Sequence, residues 1–321
     1  MASAYIQNLA FKIKVYDASG NAYQSLFSKV MAHAYDNFMN ISVYRGDGGN
    51  DGFIPSQNWY FQVYAPEIIS GENVWKNAAS KIKNDFLKLL KNWHEVYNVK
   101  KYSFVCNDRF RGIPSNVQIE IGNLNKEHRL IEIEGFSSSN LHSHFLRLDE
   151  GQKSDIVGFC PELDGQSLVN YDALSKILFY LVESNRGSWM FDSSVTAPKL
   201  LEKLQFNRLS QQISDMIKCK SRESSLIDNY FIKNPNDSQA IAMRLHNLYE
   251  ESKNLIPDSD ADAQDLRYFW IKKRMLPQNI SRDLENDNIK AHAFSDAADI
   301  IMAKYVESCD VYEPPVSVDS K

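Results

Sequence analysis

The stretch Arg45–Glu67, RGDGGNDGFIPSQNWYFQVYAPE, constrains the chain more than any other. It opens on an acidic turn holding Asp47 and Asp51, in which Gly46, Gly48, Gly49 and Gly52 allow backbone angles that other residues adopt only under strain. After Pro55 and Ser56 comes Trp59-Tyr60-Phe61-Gln62-Val63-Tyr64, an aromatic, β-prone run broken at Ala65-Pro66. Ten residues separate Asp51 from Gln62. A loop-borne acid, a short gap and a strand with a polar residue in mid-run make these two the first candidates for chemistry.

At 321 residues the chain has room for two domains, or for one large domain with appendages. A hydrophobic content of 43% with 24% charged residues is that of a soluble globular protein. The net charge of −5 excludes a global basic field, so any nucleic-acid contact has to come from a local patch or a partner. The cysteines, Cys106, Cys160, Cys219 and Cys309, form no CxxC pair, which argues against a zinc ribbon and for a reducing setting. No basic region followed by an apolar run opens the chain and no stretch has the length of a membrane span, so a cytoplasmic protein is expected.

Taken in order, residues 5–16 are apolar-rich and lead to a turn at Asp17–Gly20. From Asn21 to about Phe38, Leu26, Phe27, Val30, Met31, Ala34, Tyr35 and Phe38 recur at helical spacing, with Gln24 near the start. Glu72–Trp93 reads as an amphipathic helix with an inward stripe of Trp75, Ala78, Ala79, Ile82, Phe86, Leu89, Leu90 and Trp93. Its lysines, among them Lys76 and Lys81, form the one local basic surface next to the acidic turn. Lys101–Cys106 is a strand, and the segment after it carries Arg109, Arg111 and Gly112, which suit either a phosphate-contacting loop or an Asx-stabilised turn. Val117–Ile121 is helix or strand, and Leu130–Glu134 alternates as a strand. Beyond about Asn140 the pattern turns helical: Leu141–Leu148, Tyr171–Val182, Lys199–Lys218, Ser225–Phe231, Gln239–Leu255, Ala261–Met275 and Asn288–Cys309. Gly158–Gly165 reads as loop and Gly187–Asp192 as strand or loop.

Other chemistries fail on their spacing. There is no P-loop, no GxSxG and no HExxH among the seven histidines. Asp47, Gly49 and Asp51 echo a calcium loop, but the position due a glutamate is Asn58.

Several words of the sequence together point to a family. Gly20–Gln24 opening a helix, GDGGNDGF at 46–53, YFQVYAPE at 60–67, Lys81–Phe86, FVCND at 104–108 and Arg111–Pro114 resemble a group of bacterial defence proteins. Their N-terminal domain looks like a divergent PD-(D/E)xK nuclease. The end of the chain, Ile300–Pro315, resembles the terminal domain of ABC-three-component anti-phage systems, the class that includes Lamassu. The resemblance implies an α/β restriction-endonuclease-like domain over 1–140, a connecting segment over 141–198, and a mostly α-helical docking domain over 199–321. It implies DNA, an SMC-like ATPase and a third defence subunit as partners. A homo-oligomer is compatible with it, and no membrane is involved.

In that fold a loop acid and an acid-x-Lys pair on the next strand hold Mg²⁺ and orient a water. Here Asp51 is the loop acid, Gln62 stands in the second acid's place and Tyr64 in the lysine's. Mg²⁺ accepts neutral oxygens, so the Gln62 amide and the Val63 carbonyl are expected to join Asp51, with Asp47 as the other carboxylate within reach. The missing cation is sought on the following helix, where Lys76 and Lys81 lie about 140° apart. Lys81, beside Ile82 and one turn before Asp85, is the expected catalytic lysine. Gln24, Tyr64, Lys76, Arg109 and Arg111 are expected to support the site or contact DNA. Two functions survive: a Mg²⁺-dependent DNA endonuclease released through the ATPase, or an inactive nuclease-like scaffold that binds DNA or partner subunits.

Overall fold

The computed structural model describes residues 4–41, 49–69, 72–158, 170–184, 200–277, 280, 287–308 and 311–315. The chain divides into two compact units, 11–157 and a discontinuous one made of 1–10 with 158–321. The division differs from the expected boundaries at 140 and 198. The helices Ser138–Arg147 (α6) and Glu150–Val157 (α7) complete the first unit, and the first residues of the chain go with the second.

The unit 11–157 is built on a five-stranded mixed sheet, β1 Met39–Asn40, β2 Gly52–Ile54, β3 Trp59–Tyr64, β4 Lys101–Cys106 and β5 Glu132–Phe136, lying in chain order. β1, β2 and β3 form an antiparallel meander, whereas β4 and β5 add in parallel. The parallel pairs require crossovers, which are α3 Glu72–Leu89 and α5 Ser115–Glu127. Side chains alternate between sheet faces. Tyr60, Tyr102, Phe104 and Cys106 pack against the stripe Ala78, Ile82, Phe86 and Leu89 of α3 and against Val117, Ile121 and Leu124 of α5. On the other face Phe27 of α2 (Gly20–Ala34) meets the rings of Phe61 and Phe136.

Local departures have local causes. The helix expected to reach Phe38 stops at Ala34, because Tyr35 turns extended while its N–H still bonds Met31. Val117–Ile121, open between helix and strand, lies within the helix Ser115–Glu127, and Leu130 lies exposed ahead of β5. The amphipathic run from Glu72 continues past α3 through a π-helical turn, Leu90–His94, into α4 (Glu95–Tyr97).

The second unit is helical among its described residues: α8 Tyr171–Ser184, α9 Leu200–Phe206, α10 Gln211–Ser221, α11 Ser225–Lys233, α12 Asp237–Leu255, α13 Ala263–Arg274 and α14 Asn288–Glu307. The single helix expected over 199–218 is two. Arg208 turns left-handed at φ 55°, and Ser210 caps α10 by accepting from the Ile213 N–H. α1 (Ala4–Asp17) runs through the division, so its first residues belong here; Tyr5 donates its hydroxyl to Asp265 Oδ2 at 2.7 Å. The core of this unit holds charge. Lys272 Nζ lies 2.6 Å from Asp299 Oδ2, Tyr268 OH donates to Asp299 Oδ1 at 2.8 Å, and all three residues are buried. The buried Arg267 guanidinium bonds the Ile256 carbonyl and Asp258. Gly187–Asp192 and nearly all of Gly158–Gly165 lie outside the described residues. No helix among those residues is long and apolar enough to cross a membrane.

Candidate active site

The acidic turn enters the sheet at Asp51, whose N–H donates to the Phe61 carbonyl at 2.8 Å just ahead of the β2–β3 pairing. Asn50 shapes the entry by accepting from the Gly52 N–H at 3.0 Å. Gly49, at φ 85°, is a steric requirement. A Cβ there would stand 2.2 Å from the Asp85 carbonyl oxygen and 2.9 Å from the Leu89 nitrogen, so only glycine lets the turn lie on α3. Asp47 lies outside the described residues.

With the turn held there, Asp51 is 6% exposed and its carboxylate meets three neutral donors. Gln62 Nε2 donates to Oδ2 at 2.6 Å, the Val63 main-chain N–H to the same oxygen at 2.7 Å, and Gln24 Nε2 to Oδ1 at 3.1 Å. Gln24, early in α2, and Gln62, separated from Asp51 by ten residues in sequence, thus meet at the acid through their amide nitrogens. The Val63 N–H had not been foreseen, since a main-chain donor leaves no letter in the sequence. Gln62 is 2% exposed, and its Oε1 is buried without a hydrogen-bond partner. Such an atom costs about 1–3 kcal/mol if nothing solvates it.

The lysines of α3 lie differently from one another. Lys81 pairs with Asp85, a carboxylate 4% exposed that also takes Lys88 at 3.2 Å. Asp85 therefore orients Lys81 as the i,i+4 spacing predicts, and it holds that ammonium as its own counter-ion. Lys76 is exposed. Tyr64 stands where the family has its lysine, and its hydroxyl donates to the Val74 carbonyl at 3.0 Å, tying β3 to the start of α3. Burial pushes its phenol pKa up, so it stays a neutral donor.

The end of β4 is wired to its surroundings. Asn107 donates to the carbonyls of Val15 at 3.0 Å and Ala18 at 2.8 Å, and its own N–H bonds the Tyr64 carbonyl at 2.9 Å. Asp108 accepts from Gly112 N at 2.8 Å and from Ser138 N, at the start of α6, at 2.8 Å. Asn107 Oδ1 also accepts from the Arg109 N–H at 3.2 Å, so the loop contains an Asx turn. Arg109 donates from Nη2 to the Glu67 carbonyl at 3.0 Å, and Arg111 is exposed. Arg109 and Phe110 both have positive φ, a conformation costing about 1–3 kcal/mol each for such residues.

Among the described residues no three His, Cys, Asp or Glu side chains gather as a metal site would. The oxygen donors the site does offer are the Asp51 carboxylate and the orphaned Gln62 amide oxygen. That pair suits a hard cation which keeps waters and takes further ligands from a substrate. No protein-family model, no curated protein and no solved structure matches the chain.

Proposed function

We propose that the chain is a metal-dependent DNA endonuclease, the effector of an anti-phage complex, with the helical unit docking on an SMC-like ATPase that releases its activity. The observation that carries this reading is the buried Gln62 Oε1, unpaired on β3 beside the buried Asp51 carboxylate, which stands just ahead of β2. A buried amide oxygen without a partner is destabilising unless a cation, a ligand or an ordered water uses it. The strand order, an antiparallel meander followed by two parallel additions, supports the same reading, as it allows acid and amide to stand side by side.

Asp51 and Gln62 would hold Mg²⁺. The ion would supply a nucleophilic water and neutralise charge at the phosphate. Gln24 and the Val63 N–H fix the Asp51 carboxylate, and Asp85 pairs with Lys81 on the neighbouring helix. The scaffold reading has one observation of its own, that three amide donors and the Asp85 pairing already engage Asp51 and Lys81.

Plasmid nicking by the full chain co-purified with its ATPase partner separates the two. Asp51→Asn should reduce Mg²⁺-dependent nicking on the order of a hundredfold or more. Its stability should change by less than about 1 kcal/mol, because the Asn oxygen replaces Oδ2 and the Gln24 amide can turn to accept. A folded Asp51→Asn protein that nicks at full rate would sink the enzyme assignment. DNA binding without Mg²⁺-dependent nicking by the wild type would establish the scaffold.

A further inference from the structure

The loop after β4 contains a turn that its sequence disfavours. Arg111 N donates to the Asp108 carbonyl at 3.0 Å, closing a four-residue turn whose central residues, Arg109 and Phe110, lie at φ 48° and φ 59°. Two positive φ values define the type I′ class, which selects Asn-Gly or Gly-Gly. The buried bonds of Asn107 and Asp108 described above hold the turn against that preference.

Phe110 has a packing reason to be there. Its ring meets those of Tyr16 and His142, with Lys12 Nζ 5.7 Å from its centroid. Arg109 has no such packing: its main-chain N–H donates to Asn107 Oδ1 at 3.2 Å, but its side chain is poorly satisfied. One nitrogen bonds a single main-chain carbonyl, and Nε is buried without any hydrogen-bond partner. Burial lowers its pKa, and the nearby Arg111 charge lowers it further, against a weaker pull from Asp17. The next helix, α5, starts at this loop with no side-chain cap on Pro114 and no acid in its first turn. A strained, half-desolvated guanidinium with a second arginine nearby is unfavourable alone and favourable around an anion.

We propose that the turn Asp108–Arg111 is a phosphate subsite, in which Arg109 presents its half-buried guanidinium and Arg111 its charge to the oxygens of one backbone phosphate of a nucleic acid. The phosphate chemistry stands on the turn itself, and its nucleic-acid source rests on the function proposed above. The turn lies past the carboxyl end of β4, and Asn107 bonds the last carbonyl of β3, so it sits at the end of the parallel strands where α/β sheets bind ligands.

The test compares melting of the full chain in phosphate and in chloride at equal ionic strength for wild type, Arg109→Gln, Arg109→Gly and Lys83→Gln. Phosphate should stabilise the wild type and Lys83→Gln, with affinity at least roughly tenfold weaker in both Arg109 variants. Arg109→Gly, freed of its left-handed strain, should melt in chloride at or above the wild type. In a second arm, the slope of log K against log salt for a DNA duplex should flatten by about 0.9 in Arg109→Gln, the loss of one phosphate contact. A phosphate response confined to chains with Arg109, in a protein that binds no DNA, upholds the subsite for a free phosphate or nucleotide and sinks the nuclease reading instead. The proposal is overturned if the wild type shows no phosphate response or if both Arg109 variants keep it. It is equally overturned if Arg109→Gly melts well below wild type, which would make Arg109 a structural tie to Glu67.

Discussion

Asp299 of the helical unit and Asp51 of the sheet unit are both buried carboxylates, and they are held in opposite ways. In the helical unit buried charges meet opposite charges: Lys272 meets Asp299, which also takes Tyr268, and Arg267 meets Asp258. In the sheet unit the Asp51 carboxylate is held by Gln24, Gln62 and the Val63 N–H, all neutral amides, and Gln62 keeps a buried oxygen unpaired. An ion pair between helices specifies one packing and leaves little for a ligand to do. A ring of amides around a carboxylate orients it without neutralising it. The first arrangement fixes packing; the second, on the function proposed above, leaves the carboxylate's charge for a cation.

The contrast can be broken most forcefully in the helical unit. Asp299→Ala leaves a buried ammonium and a buried phenol without their acceptor and should cost about 3–5 kcal/mol by urea denaturation. Lys272→Met combined with Asp299→Leu should recover most of that loss. A double variant no more stable than Asp299→Ala would mean that the pair does more than specify packing. Next comes Gly49→Ala, which forces a Cβ onto the Asp85 carbonyl at positive φ and should cost roughly 2–3 kcal/mol. If it melts like the wild type, the close approach of the turn to α3 is not required.

Gln24→Ala should cost about 1 kcal/mol, the value of one hydrogen bond to Asp51, while lowering nicking by more than that loss of stability explains. An equal effect on both would reduce Gln24 to a structural role. The smallest effect concerns Asp155 of α7, whose pKa is lowered first by the His33 hydrogen bond and then by Lys29, both on α2. A depressed carboxylate stabilises above its unfolded pKa and loses that contribution as pH falls through the folded one. Amide exchange in α7 should therefore quicken below about pH 4, and Asp155→Asn should remove that dependence. The pair is largely exposed, so the change should be small and should fade at high salt.

Much of this was legible in the sequence, for identifiable reasons. β3 and β4 are runs of aromatic and β-branched residues buried on both faces, and such runs announce themselves. β1 and β2 have too few residues to show a period. Asp51 and Gln62 could be matched from spacing, and Lys81 with Asp85 from the i,i+4 rule. The Val63 N–H could not be read from side chains, nor could the second claim of Lys88 on Asp85. The turn at Arg109-Phe110 was hidden because residue preference argues against it, and only the buried network around it reverses that preference. Residues 1–10 join the far end of the chain through contacts such as Tyr5 with Asp265, a pairing no local pattern encodes.

That last feature sets an order for biosynthesis. The ribosome releases all of residues 11–157 before it makes most of the helical unit, so the sheet can close as an independent folding event. The opening turns of α1, with buried Ile6 and Leu9, must meanwhile wait for α13, which follows Val157 by a time on the order of ten seconds at usual elongation rates. Through that interval an apolar helical start is exposed to chaperones and proteases. Trimming the first ten residues should therefore injure the helical unit, while the sheet folds undisturbed.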